Sequence, residues 1–388
     1  MIPRLIEKTL KAALAQKKVL ILLGARQTGK TSLLEVLRQK LIADGKRILY
    51  LNCDLDEDRR RISTSSLTVL INLAGDLDFL LIDEAQRLDN PGLTLKIIHD
   101  QLPQVRVLAT GSSSFDLKNK LSDPLTGRYL DFNLFPLSIG EILKDSRAQP
   151  DFLFPELMTF GLYPAIYLEK NRQQKIVLLN KLIESYLFKD VLEFQKVRQS
   201  QIIRDLTRAL AYQIGSEINE NELANRLKVD RKTILNYLDL LEKTFVIIRA
   251  FPFSQNPRRE IGRNYKIYFV DLGIRNALIG DFNPPEIRVD LGRLWENFLV
   301  LERLKSFANK GEMVSFNFWR SYSGAEVDYL ERRMDTPQMT AFEFKYGGGR
   351  LSRGAASFKK RYKLPVILIN RKNYLDFLRG QVGTKLGA

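Results

Sequence analysis

Apolar positions along the chain occur in two periods. Short apolar runs, VLILL (19–23) and FLLI (79–82), each end in polar or glycine residues, the pattern of strands buried on both faces of a parallel sheet, and VRVLA (105–109), broken only by Arg106, reads as a third strand. After the first run comes a loop, GARQTGKT, and then SLLEVLRQKL, whose apolar residues recur at helical spacing. From about residue 150 to 215 the pattern is amphipathic and helical, as in KIVLLNKLIESYLFKDVLEF. The segment INENELANRLKVDRKTILNYLDLLEKTFVIIRAFPF predicts two short helices joined by a tight turn, then β-prone residues. Asn219 and Glu222 have capping-box spacing, and Leu223, Leu227, Ile234, Leu238 and Leu241 form an apolar stripe across both helices.

The last hundred residues open with an amphipathic helix, LGRLWENFLVLERLKSF, followed by strand-like FNFWRSYSGAEVDYLERR and MTAFEFKY. Side chains alternate across a strand. In AFEFKY, Phe342 and Phe344 are therefore expected in a core, with Glu343 and Lys345 together outside it. In EVDYL, Glu326 and Asp328 share a face, so Asp328 can meet Glu343 across an antiparallel pair.

These patterns predict an α/β protein with a parallel sheet first and a helical stretch second. At 388 residues with 45% hydrophobic content, the chain has room for several cored domains. The expected boundaries are 1–150, 151–215, 216–285 and 286–388, the turn-rich DFNPPEIRVD marking the last. No apolar run reaches the roughly 18 residues of a membrane span, so a soluble, cytoplasmic protein is expected. With Cys53 and His99 as its single cysteine and histidine, the chain has neither an intramolecular disulfide nor a Cys/His zinc cluster, and any metal must take oxygen ligands. The net charge of +16 is uneven: about +4 falls on residues 1–150 and the rest beyond, much of it after Arg350. That balance suits a polyanionic partner, nucleic acid foremost.

Gly24, Gly29, Lys30 and Thr31 have the spacing of a phosphate-binding loop, in which backbone N–H groups wrap phosphates at a helix N-terminus. The loop residues Gly24, Gln27, Thr28, Gly29, Lys30, Thr31 and Ser32 are the expected ATP contacts, with Lys30 reaching the β and γ phosphates and the Thr31 hydroxyl on Mg2+. Asp83, ending the second apolar run, is placed to hold the Mg2+ hydration shell, and Glu84 to orient or deprotonate the attacking water. Thr110, Ser112 or Ser113 can meet the γ-phosphate or that water, with Ser112 carried as the catalytic candidate. Arg128 is a charge-stabilising arginine acting in cis or in trans, or a structural one. On the second of the two short helices Arg231, Lys232, Asn236 and Tyr237 are expected to be free for DNA, with Arg258, Arg259 and Arg263 on a basic wing behind them. Docking between flanking domains or to another protein is the alternative use of that module.

GARQTGKT, LIDEAQ, TGSSS and the GR and LFPLS stretch after it resemble prokaryotic AAA-type ATP-binding proteins, and the resemblance extends over nearly the whole chain. It implies a P-loop NTPase sheet with helices on both faces, a helical lid, a winged helix carrying KIYFVDLGIRNAL, and a C-terminal α/β domain related to PD-(D/E)xK restriction-endonuclease-like nucleases. It also implies ATP and Mg2+ as cofactors, and it equates Glu296, Asp328 and Glu343 with metal-holding acids and Lys345 with a catalytic lysine. DNA is the partner implied, no membrane is, and a homo-oligomer or a protein partner is compatible with it.

Overall fold

The computed structural model describes residues 2–111, 125–145, 149–185, 200–254, 264–321, 323–334 and 338–382. The chain divides into two compact units: Met1–Leu137 with Lys243–Phe245 and Ala308–Gly311, and Ser138–Glu242 with Val246–Phe307 and Glu312–Ala388. Among the described residues no helix is long and apolar enough to cross a membrane.

The first unit is built on a five-stranded sheet of β1 (Val19–Leu23), β2 (Ile48–Asn52), β3 (Phe79–Asp83), β4 (Arg106–Gly111) and β5 (Tyr129–Asn133), in the order β2-β3-β4-β1-β5. All four pairings are parallel. Every residue of β1 is buried because its two faces enter different cores. Val19, Ile21 and Leu23 meet Leu70 of α4 (Leu67–Ala74) and Leu95 and Ile98 of α5 (Pro91–Gln101), while Leu20 and Leu22 meet Ile6 and Leu10 of α1 (Ile6–Leu14) and Leu33, Leu34 and Leu37 of α2 (Lys30–Ala43). A helix α3 (Asp56–Ile62) completes the layer on the first side through Ile62. A strand covered on both faces needs apolar residues at consecutive positions, which is why these segments read as unbroken runs.

The second unit begins with four helices, α6 (Ile139–Asp145), α7 (Pro150–Phe160), α8 (Pro164–Leu168) and α9 (Arg172–Leu182), and continues with α10 (Ser200–Tyr212). The two short helices predicted next are α11 (Glu220–Leu227) and α12 (Arg231–Lys243). Asn219 caps α11, its side chain accepting from the Asn221 and Glu222 N–H groups at 3.0 and 3.2 Å. Leu223, Ile234, Leu238 and Leu241 are buried as the stripe requires, while Leu227 is half-buried.

A six-stranded mixed sheet follows, ordered β11-β10-β9-β8-β6-β7. Its strands are β6 (Ile247–Pro252), β7 (Lys266–Phe269), β8 (Val314–Arg320), β9 (Glu326–Arg333), β10 (Met339–Phe344) and β11 (Val366–Ile369), with α13 (Leu272–Ile279), α14 (Leu291–Lys310), α15 (Arg353–Tyr362) and α16 (Tyr374–Arg379) around them. The parallel β6–β8 pairing, Phe251 with Asn317 and Pro252 with Phe318, makes one sheet of the strands on either side of residue 285. The segments expected as lid, winged helix and nuclease-like domain thus pack as one compact unit.

AFEFKY corrects the sequence reading. Phe342 and Phe344 do enter a core, against Tyr329 and Phe377, but Glu343 is only 1% exposed. β10 lies between β9 and β11, and α15 covers its second face through Ala355 and Phe358. Alternation predicts solvent on the polar side only where nothing packs there.

Candidate functional site

The first candidate site lies at the C-terminal ends of β1, β3 and β4. The loop from Gly24 to Gly29 leaves β1 and delivers the chain into α2 at Lys30. Gly24 passes so close to Leu134 that an added Cβ would lie 2.3 Å from the Leu134 carbonyl oxygen. Gln27 and Gly29 take positive φ angles of 61° and 95°, turning successive N–H groups within the loop. The buried Thr28 hydroxyl donates to the Ala25 carbonyl at 2.8 Å, while Gln27, Thr31 and Ser32 are exposed at the loop surface. Lys30 is buried, and its ammonium donates to the Gly24 and Ala25 carbonyls at 2.9 and 3.0 Å, a closed-loop arrangement that holds the ammonium at the mouth of the loop.

Asp83 ends β3 facing this loop. Its Oδ2 accepts from the Thr31 hydroxyl at 2.6 Å and from Tyr50 OH at 3.2 Å, and its Oδ1 accepts from the Thr110 hydroxyl. Burial and the Asp83 charge together push the Tyr50 phenol well above its ordinary value, so it remains a donor. Glu84 stands next in a left-handed conformation, φ 54°, its N–H donating to Thr110 Oγ1 at 3.1 Å and its carboxylate accepting from Gln86. Two non-glycine residues with positive φ, Gln27 and Glu84, therefore border one cleft, the kind of place where backbone strain collects around function. Of the three hydroxyls left open by the sequence, Thr110 is bonded to both acidic residues; Ser112 and Ser113 lie outside the described residues.

Arg128 does not join this group. It immediately precedes β5, whose first residue Tyr129 pairs with Val19 at the start of β1, so it sits at the N-terminal edge of the sheet while the loop leaves the C-terminal edge. There its guanidinium bonds Asp100 at 2.8 Å, and that hydrogen bond holds the Asp100 carboxyl down at about 2. A role in cis is excluded by strand direction. A residue that sequence reasoning missed is Arg4, which donates to the Thr28 carbonyl at 2.5 Å and to the Phe135 carbonyl at 2.7 Å, clamping the loop from 24 positions away. No motif announces it, because nothing near it in sequence belongs to the site.

The donor set fits ATP with Mg2+. Thr31 and Asp83 offer a hydroxyl and a carboxylate oxygen to a hard cation, and the positive φ angles of Gln27 and Gly29 turn the loop N–H groups for a phosphate chain.

The second candidate site lies in the second unit around β9 and β10. Asp328 is half-buried, its Oδ2 accepting from the Phe344 N–H at 2.7 Å. Burial and the nearby Glu296 charge push its carboxyl up to about 7, against the pull of Lys266. Glu343 accepts from Lys345 at 3.0 Å and, through both oxygens, from the Ser352 N–H at 3.2 and 2.9 Å. Lys345 is half-exposed; burial alone would lower its ammonium, but the Glu343 bond and charge raise it. Glu296 is turned to other partners, accepting from Lys266 and from Tyr268 OH, both at 2.7 Å.

The expected three-carboxylate metal site is therefore corrected. Among the described residues no three acidic, histidine or cysteine side chains converge as a cation-holding group. Glu296, Asp328 and Glu343 accept instead from Lys266, from the Phe344 N–H and from the Ser352 N–H.

The helix surface expected to read DNA is also altered. Tyr237 is 9% exposed and Arg231 is paired with Glu220 at 2.7 Å, leaving Lys232 and Asn236 exposed on α12. Arg258, Arg259 and Arg263 lie outside the described residues. On α15, Arg353, Lys359, Lys360 and Arg361 are exposed, with Lys363 just beyond.

A family model described as AAA domain matches residues 16–143, and models described as domains of unknown function, DUF8612 and DUF4143, match residues 151–284 and 291–380. An uncharacterized protein of Haemophilus influenzae is 25% identical over 332 residues, 81% of this chain and 80% of that protein. Uncharacterized proteins of Mycobacterium tuberculosis and Methanocaldococcus jannaschii are 27% and 26% identical, over 83% and 84% of this chain and 69% and 75% of their own lengths. Among solved structures, the replication initiator DnaA bound to AMPPCP and single-stranded DNA aligns with a TM-score of 0.33 at 18% identity, covering 61% of this chain and 86% of that one, too low a score to carry a shared function. The match over residues 16–143 falls on the stretch that holds the loop, Asp83 and Glu84, so this part of the chain is similar to an AAA domain.

Proposed function

We propose that this protein hydrolyses ATP at the first site and that its nucleotide state controls a basic C-terminal half that contacts DNA. The observation that carries the ATPase reading is the convergence of the Lys30 ammonium, the Thr31 hydroxyl, Asp83, Glu84 and Thr110 at one edge of the parallel sheet. In this reading Lys30 exchanges its two loop carbonyls for β- and γ-phosphate oxygens, and the loop N–H groups bind the rest of the phosphate chain. Mg2+ held through Thr31 and Asp83 would neutralise charge on those phosphates. Asp83, kept in place by Thr110 and Tyr50, has its oxygens aimed at the Thr31 side. Glu84 orients the attacking water and takes its proton, while Thr110 fixes the Glu84 backbone and so the direction of its carboxylate.

The DNA reading is supported by the charge distribution and by the exposed lysines and arginines of α15 together with Lys232. Phosphodiester cleavage is not part of it, since among the described residues no three acidic side chains gather as a metal-holding group. A nucleotide-switched module that docks a protein is the second reading, favoured by the burial of Tyr237 and the pairing of Arg231. Phosphate release by wild type and Glu84→Gln tests the first claim, and anisotropy titration of mixed-sequence DNA across salt concentrations tests the second. Absence of turnover overturns the ATPase reading; DNA affinity that is weak and indifferent to salt selects protein docking.

A further inference from the structure

Asp83 ends β3 and the chain turns at Glu84, whose positive φ of 54° and N–H bond to Thr110 Oγ1 fix its backbone. The carboxylate stands two methylenes further out, where a restraint on the backbone does not reach. A general base must hold its oxygen within hydrogen-bond reach of the water, and a misplacement of about 1 Å can cost about 100-fold in rate. The residues that follow supply that restraint. Ala85–Arg87 form a single 3-10 turn, closed by the Arg87 N–H on the Glu84 carbonyl at 2.9 Å and the Leu88 N–H on the Ala85 carbonyl at 3.1 Å. Ala85 and Leu88 are buried in the core on that side of the sheet, so the turn is anchored on both sides of Gln86. From between these anchors Gln86 Nε2 donates to Glu84 Oε2. Arg87, one residue on, donates instead to Asp54 at 3.3 Å. The group that meets the carboxylate from this turn is thus a neutral amide, which orients an acid without the nearby positive charge that would weaken it as a base.

The geometry points to Gln86 as a positioning residue for ATP hydrolysis, its amide setting the direction in which the Glu84 carboxylate faces the attacking water. This inference rests on the reading of Glu84 as the group that takes the water's proton. In that step the water oxygen forms its bond to the γ-phosphorus, its proton passes to Glu84, and the bond from phosphorus to the β–γ bridging oxygen breaks with its electron pair leaving on ADP. Gln86 exchanges no proton or electron. By holding Oε2 it stops rotation about the last side-chain bond of Glu84 and so presents Oε1 in one orientation.

The test measures steady-state phosphate release by the full chain with ATP and Mg2+, for wild type, Gln86→Met, Gln86→Glu and Glu84→Gln, with ATP affinity followed by calorimetry. Methionine keeps the length of the side chain and removes the donor, so Gln86→Met should lose about tenfold or more in kcat while ATP affinity stays within about twofold of wild type. In Gln86→Glu a second carboxylate beside the first disfavours the ionised base, and the acid limb of the kcat profile should move to higher pH. A merely structural role would lower ATP affinity and the thermal midpoint together with kcat, and would leave the acid limb where wild type has it. The proposal is overturned if Glu84→Gln is inactive while Gln86→Met turns over like wild type, or if Gln86→Met loses affinity in step with kcat. Should Gln86→Met not fold, an unmoved acid limb in Gln86→Glu overturns it equally. Wild-type turnover by Glu84→Gln would instead remove the underlying reading of Glu84, and this inference with it.

Discussion

Each side chain of the phosphate-loop site has a separable task, and its removal should leave a different signature. Lys30→Ala deletes a charge-assisted hydrogen bond to phosphate, which costs about 1.5–3 kcal/mol. ATP affinity measured by calorimetry should fall by about tenfold to a hundredfold, with turnover abolished. Glu84→Gln keeps Lys30, Thr31 and Asp83, so ATP should still bind while phosphate release drops by about 100-fold or more. Wild-type turnover in that variant would pass the water-positioning role to another residue. Arg128 belongs to a different argument. Its bond to Asp100 lowers that carboxyl to about 2, so the pair's contribution to stability is present above the unfolded carboxylate range and is lost as pH falls toward 2. In Arg128→Ala a carbon-detected titration should move the Asp100 midpoint up toward 3.8, the ordinary value. An unmoved midpoint would mean that another group depresses it.

At the level of the element, the loop and the helix it feeds act together. Gly24 has no room for a side chain beside the Leu134 carbonyl, so Gly24→Ala must push the loop off β5's continuation. ATP binding should be abolished while far-UV circular dichroism stays near wild type, because β1 and α2 keep their cores on either side of the sheet. Retained ATP affinity would show that the loop can shift without cost. Helix α15 carries a different expectation. Its buried face, Ala355 and Phe358, packs on the sheet, while Lys359, Lys360 and Arg361 face outward. Replacing those three by alanine should weaken DNA binding across sequences and reduce the salt slope by about one for each phosphate that is no longer neutralised. The salt slope of anisotropy titrations reads this directly, and an unchanged slope would move the DNA surface away from α15.

For the whole molecule, ligand linkage gives an expectation that no single side chain supplies. A nucleotide that binds only the folded chain should stabilise it by about 2.7 kcal/mol at 100 times its dissociation constant. Scanning calorimetry with a non-hydrolysable ATP analogue and Mg2+ should show an upward shift that Asp83→Asn diminishes. A shift that is the same in both would place the metal ligand elsewhere.

The phosphate loop was legible because its chemistry is local. Gly24, Gly29, Lys30 and Thr31 are neighbours in sequence, and a strand, a turn and a helix start suffice to align them. The two-faced burial of β1 and the capping of α11 were legible for the same reason, since periodicity and caps act within a few residues. Strand register and the packing of distant segments decided the rest. Thr110 reaches Asp83 because β3 and β4 are adjacent and parallel, and Arg128 misses the cleft because β5 runs parallel to β1 from the far edge. Glu343 is buried because α15 folds over a face that alternation alone assigns to water. Lys266 finds Glu296 30 positions away and Glu326 further still because β7, α14 and β9 are brought together by the unit's core. A residue's own neighbours fix which face it takes, but burial of apolar surface drawn from the whole chain fixes what that face meets.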